Sequence, residues 1–114
     1  MATIKLDKEV WHTYFDHMTK LLTGKQTEIE AASLKFGVQP EAKWLQLLGI
    51  TYDHKNDLLE VLLDGLDHLI MHPREIYVDQ DAAGLTSMEV IDGDDVRQII
   101  RLRDPMMLPY SPSP

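Results

Sequence analysis

The chain has 114 residues, 44% hydrophobic and 26% charged, which fits a single ordinary globular domain. Its 19 acidic and 11 basic residues give a formal net charge of -8, which repels nucleic-acid phosphates and anionic membranes at long range. Cysteine is absent, which excludes disulfides and thiolate sites and leaves any structural zinc to His and carboxylates.

Residues 1–7 lack the apolar core of a signal peptide, and no apolar run approaches the ~20 residues of a membrane helix. With the missing cysteine, this gives the expectation of a cytoplasmic bacterial protein. From Asp7 to Thr23 the period is helical. Val10, Trp11, Tyr14, Phe15, Met18, Leu21 and Leu22 recur three and four apart, and so form one broad aromatic stripe. Asp7 is the expected N-cap and Gly24 the expected stop. Such a stripe needs an apolar surface, and a sheet face supplies one.

After Gly24 the period becomes two. Thr27, Ile29 and Ala31 alternate with Glu28 and Glu30. Leu34 and Phe36 then shift the phase, which predicts a bulge near Ala31 and Ala32. Gly37 and Pro40 mark residues 37–43 as a loop. Residues 45–52 and 58–63 read as strands around a turn at 53–57. The second run is apolar nearly throughout, so burial on both faces is expected. Asp64 and Gly65 close it. Residues 66–73 read as one helical turn or an irregular crossing ended by Pro73. Residues 74–79 form a strand, and 85–91 with 96–103 form a hairpin around Asp92-Gly93-Asp94-Asp95.

The fold class is α+β: an N-terminal amphipathic helix packed on a curved, mostly antiparallel sheet of five to six strands, with a barrel-like version of that sheet in view. Residues 1–104 form the domain. Residues 105–114 form a proline-rich tail, with Met106, Met107 and Leu108 as its docking residues.

Three sets of side chains carry candidate chemistry. His68 and His72 share a His-x-x-x-His spacing, which puts two imidazoles on one face of a helix, and Asp67 stands ready as a third metal ligand or as an orienting carboxylate. Asp53 and His54 join this set if the fold brings their turn near. Asp79 and Asp81 ahead of Gly84 open like a calcium loop, but lack its later ligands; Asp92, Asp94 and Asp95 share that shortfall, and both clusters suit plain turns. Arg97, Arg101 and Arg103 fall with Ile99 on one face of a strand. They are candidates for anion or partner contact, or for cross-strand pairing with Glu89, Glu75 or Asp79. The aromatic group Trp11, Tyr14, Phe15 and Trp44 reads as core or as an oligomer contact rather than a ligand pocket. No glycine-flanked nucleophile and no glycine-rich phosphate loop occurs, so no catalytic residue is assigned.

Leu47 to Asp53, Asp67-His68, His72-Pro73-Arg74-Glu75-Ile76, Arg97-Gln98-Ile99 and Leu102-Arg103-Asp104-Pro105, with Trp11 near the start, resemble a family of small bacterial proteins of unknown function. That resemblance covers most of the chain and implies no activity or cofactor. Gly49 to Asn56 and Ile91 to Val96 more loosely resemble the two motifs of Sm-like proteins. This likeness implies a helix followed by a five-stranded barrel and ring-like self-association. Asp92 stands where that family carries a basic residue, which opposes RNA binding.

The leading expectation is a non-enzymatic interaction or regulatory module that forms a homo-oligomer, because a sheet of short strands has edges to cover. The rivals are a small-molecule or metal-binding domain built on Asp67, His68 and His72, and an Sm-like RNA-binding module.

Overall fold

The computed structural model of the chain describes residues 2–82 and 84–105. The expected docking of Met106, Met107 and Leu108 lies outside them. Eight strands form: β1 (Ala2–Leu6), β2 (Gln26–Ser33), β3 (Gly37–Asp53), β4 (Leu58–Leu63), β5 (Leu66–Met71), β6 (Glu75–Asp81), β7 (Gly84–Ile91) and β8 (Arg97–Arg103). One helix, α1 (Trp11–Leu22), follows a 3-10 turn at Lys8–Val10.

Neighbouring strands are all antiparallel, in the order β1-β6-β7-β8-β2-β3-β4-β5. The α+β class holds, but the sheet has eight strands rather than five or six. It also stays open rather than closing as a barrel, because β1 and β5 each pair with one strand only. The five-stranded barrel implied by the Sm-like resemblance is likewise not the architecture found.

Two added strands and one lengthened strand account for the difference. Ala2–Leu6 precedes the helix and pairs with β6, Ile4 opposite Val78 and Leu6 opposite Ile76. Residues 37–43, expected as a loop, are the first half of β3. Pro40 fits there because this half has one strand neighbour, β2, so the missing N–H removes no second ladder. Residues 66–71, expected as a helical turn or crossing, are β5. It pairs with β4 through the two-residue turn Asp64-Gly65, where Gly65 takes φ +84 at no steric cost.

β3 belongs to two ladders. Gly37 to Gln46 pair with β2, and Leu47 to Asp53 pair with β4. The bend between them coincides with Trp44 at φ 55 and a register slip between Leu47 and Gly49. The irregularity of β2 falls at Thr27 to Glu30, earlier than the expected Ala31–Ala32, because Leu34 and Phe36 are not strand residues. They are exposed in a turn where Ser33 Oγ accepts from the Lys35 and Phe36 amides at 3.2 and 3.1 Å.

The bend folds the β4–β5 hairpin over the inner face. β5 stands four places from β8 in the order, about 19 Å away in a flat sheet. Yet His68 of β5 hydrogen-bonds Gln98 of β8 at 3.0 Å, so the sheet curls on itself. Between the two layers lie Leu59, Val61, Leu63, Ile70, Ile76, Val78, Met88, Val90 and Ile100, all buried. β4 alternates: Leu59, Val61 and Leu63 are buried and Leu58, Glu60 and Leu62 only half so, rather than buried on both faces.

α1 begins at Trp11, not directly after Asp7. The Asp7 side chain makes no cap; its carbonyl accepts from the Val10 amide at 3.0 Å. Trp11, Phe15 and Leu22 are fully buried, and each contributes roughly 1.5–3 kcal/mol of apolar transfer. The helix also covers an edge. In the second half of β3 the Ile50 amide donates to Thr19 Oγ1 at 3.0 Å, and the Tyr52 carbonyl accepts from His12 Nδ1 at 3.2 Å. Just past the helix, Gly24 donates to the Leu47 carbonyl and Leu47 donates to the Lys25 carbonyl, both at 2.8 Å. Gly49 permits this approach, since a Cβ there would sit 3.2 Å from Thr19 Oγ1.

Candidate functional site

A His-x-x-x-His spacing joins two imidazoles on a helix and parts them on a strand, by about 13 Å over four residues. Because 66–71 are β5, the expected set Asp67, His68 and His72 is not brought together. Asp67 points outward. His68 turns inward and donates from Nε2 to Gln98 Oε1, and Gln98 Nε2 reaches Asp92 Oδ2 at 3.4 Å. Asp92 Oδ1 accepts from the amides of Asp94 and Val96 at 2.8 and 3.0 Å, which fixes the β7–β8 turn from within. His72 lies past the strand end at φ 51. Among the described residues no three His, Cys, Asp or Glu side chains form a group that could hold a metal ion.

His72 belongs to a different cluster. Its amide donates to the Asp57 carbonyl at 2.9 Å, and its Nδ1 faces Asp57 Oδ2 at 3.4 Å. Tyr52 donates its hydroxyl to Asp57 Oδ1 at 2.7 Å, and Lys8 Nζ lies 3.5 Å from the same carboxylate. Burial, then the bond to Asp57, pushes the Tyr52 hydroxyl up to about 12. Burial raises Asp57, but the Tyr52 hydroxyl, Lys8 and His72 together outweigh it and hold the carboxyl below its ordinary value. The expected neighbour His54 stacks edge-on against His12 at 5.5 Å, while Asp53 accepts from Lys55 and Asn56 within its own turn. Asp57 and His72, both left-handed, thus tie the β3–β4 turn to the chain between β5 and β6. Nothing in the sequence spacing marks this pair, which is 15 residues apart.

The three arginines do share the outer face of β8. Arg97 pairs with Glu89 at 2.9 Å, as the cross-strand reading expects. Arg101 pairs with Glu28 at 3.0 Å and also with Glu30, both on β2 rather than β6. Arg103 donates to Gln26 at 2.9 Å and lies 3.7 Å over the Trp44 ring. Asp79 accepts from Thr3 and from Ser87, so its carboxylate ties β6 to both neighbours. Most of this face is therefore a lattice of internal pairs. One end differs: Val38, Ala32, Arg97 and Ile91 form a cross-strand row over β3, β2, β8 and β7. That row floors a groove of about 710 Å³, with Leu34 and Arg74 on its walls. Arg74 pairs with Asp95, and its side chain and that of Arg97 stay 51% and 60% exposed.

The strand edges are unequal. β1 carries Lys5, paired with Glu75 at 3.0 Å, and the first half of β3 carries Pro40 and Lys43; lysine and proline both discourage strand pairing. The second half of β3 is covered by α1. β5, Leu-Asp-His-Leu-Ile-Met, has neither guard. Its outward Leu69 and Met71 are 50% and 53% exposed. On the neighbouring strand Leu58, Glu60 and Leu62 share that face, opposite Met71, Leu69 and Asp67, so the edge is mostly apolar with one carboxylate on each strand.

An open antiparallel α+β domain with one strand edge that no other described element covers is the class these features define. Residues 2–111 match the family of unknown function DUF5335, and the chain belongs to that family. It is also 38% identical over 110 residues to an uncharacterized protein of Aquifex aeolicus, covering 96% of this chain and 99% of that protein. The bacterial family implied by the sequence resemblance is thus the family found. No solved structure matches the chain. No helix among the described residues is long and apolar enough to cross a membrane.

Proposed function

We propose that the chain is a non-enzymatic interaction module that self-associates, and that β5 is the surface it uses. The carrying observation is the unguarded edge of β5, with Leu69 and Met71 exposed beside it. A row of unpaired backbone donors and acceptors is a template for another strand, and an apolar strip beside it adds burial on contact. Light scattering after size exclusion tests this: the expected species has twice the chain mass, and Leu69→Lys returns it to a monomer. A clean monomer of the unaltered chain at millimolar concentration rejects the reading.

The groove at Arg74 and Arg97 supports a second, separate reading as an anion or partner contact. Arg97 lines this groove together with Arg74, and each uses a single nitrogen on its own acid, which leaves other donors open. Amide shifts at 32–38 and 91–97 on titration with acetate or phosphate, lost in Arg97→Gln, are the expected result. Equal shifts in that variant reject it.

A further inference from the structure

Resting on the reading of β5 as a self-association surface, we infer that two copies join β5 to β5 antiparallel about a two-fold axis at Leu69, making one continuous sheet. The register follows from which backbone groups are already used. β4 and β5 pair Leu58 with Met71, Leu59 with Ile70 and so on to Leu63 with Leu66. The next pair in that series, Asp57 and His72, has its backbone bond from the His72 amide to the Asp57 carbonyl. Hydrogen-bonded and non-bonded pairs alternate along an antiparallel ladder. Residues 66, 68, 70 and 72 therefore turn their backbone groups toward β4. Asp67, Leu69 and Met71 turn theirs away, to the bare edge.

A second copy must present the same three residues. Centring the pair on Leu69 sets Leu69 against Leu69 of the second copy, and Asp67 against Met71 in both directions. All three free residues then pair, each pair exchanging two hydrogen bonds. Centring on His68 engages only Asp67 and Leu69 within the strand. Centring on Ile70 sets Asp67 against Pro73, which has no N–H to give. The Leu69 register also preserves the faces. Opposed residues point to the same side, so outward Leu69 meets outward Leu69, and inward His68 meets inward Ile70. Each Asp67 lies across from a methionine, not from its own copy, so two chains of charge -8 meet here without opposed carboxylates.

The absence of cysteine makes the register directly readable. Hydrogen-bonded pairs stand about 5.5 Å apart at Cα, inside the roughly 4.4–6.8 Å range of disulfides. Leu69→Cys is expected to give a covalent dimer under mild oxidation at micromolar concentration, at least tenfold faster than Leu48→Cys or Leu34→Cys, which are also exposed. The double variant Asp67→Cys, Met71→Cys is a second route: its two thiols are about 13 Å apart within one chain and can close only between copies. Cross-linking by both, with a dimer of the unaltered chain in light scattering, supports the register. A dimer in light scattering whose Leu69→Cys form links no faster than the Leu48→Cys form overturns the register and leaves self-association standing. A monomer of the unaltered chain overturns both.

Discussion

The second half of β3 and the whole of β5 face the same problem, a row of backbone groups with no strand beside it. On β3 the chain solves it internally. Thr19 and His12 reach from α1 to the Ile50 amide and the Tyr52 carbonyl, and Gly24 and Lys25 pair with Leu47. On β5 no such cover exists among the described residues, and three of its four exposed side chains are leucine or methionine, Asp67 being the fourth. A helix that docks by its apolar stripe can also serve as a false strand. The edge left without one is where a partner has most to gain.

Removing the cover is the strongest way to break that contrast. Phe15→Ala takes a fully buried ring from under α1 and is expected to cost about 3–5 kcal/mol in urea unfolding. It should also raise association above that of the unaltered chain, because the loosened helix uncovers a second edge. A loss below about 1 kcal/mol would show that the helix is not anchored there. Thr19→Val is gentler. It strands the Ile50 amide beneath the helix, at an expected cost of about 1–3 kcal/mol, with faster hydrogen exchange at that amide. Thr19→Ser should restore both, and equal exchange in the three proteins would remove Thr19 from the cover.

Leu69→Lys acts on the other side of the comparison. It is expected to change the unfolding free energy of the monomer by no more than about 0.5 kcal/mol while abolishing association. A large fall in monomer stability would mean that Leu69 is packed within its own chain.

The smallest expected effect is that of pH at the Asp57 corner. The Tyr52 hydroxyl is raised from 10 to about 12, so its contribution is complete below pH 10 and is lost as pH rises through 12. Melting temperatures over that range should fall less steeply in Tyr52→Phe than in the unaltered chain. On the acid side Asp53, Asp57, Glu75 and Asp79 are held below their ordinary values of 3.8 and 4.5. Their stabilisation is present above those values and is lost as pH falls through the lowered ones. Asp57→Asn should reduce the acid slope, and an unchanged slope would count against the corner's ionic bonds.

Much of this was legible from spacing alone. Five of the seven residues of the expected stripe hold: Trp11, Phe15 and Leu22 are buried and Tyr14 and Met18 half-buried, while Val10 and Leu21 are exposed. The turns at 53–57 and 92–95 also stand where the sequence puts them. What escaped were strands whose signals belong to edges. Pro40 and Gly37 read as loop because a strand paired on one side tolerates what a central strand does not. Asp64-Gly65 carries the same hairpin signal as Asp92-Gly93, but the paired His68 and His72 drew the following residues toward a helical reading. That choice of period also placed the candidate metal set, since on β5 His68 turns inward to Gln98 while His72, past the strand end, meets Asp57. The Asp57–His72 corner was invisible because it lies one step beyond the β4–β5 ladder, and β5 was itself not read as a strand.

β2 has a consequence for how the molecule comes into being. It lies in the middle of the sheet, with β3 on one side and β8 on the other, and Gln26 stands opposite Arg103. β3, β4 and β5 can zip together as successive hairpins as soon as they are made. β1 must wait for β6, and the second edge of β2 must wait for β8, the last of the described strands. Most of this chain is therefore made before the β2–β8 ladder can exist, and until then β2, paired with β3 on one side, has its other edge bare. Newly made copies crowded on one messenger would offer each other that edge until β8 has taken its place, and the β5 edge thereafter.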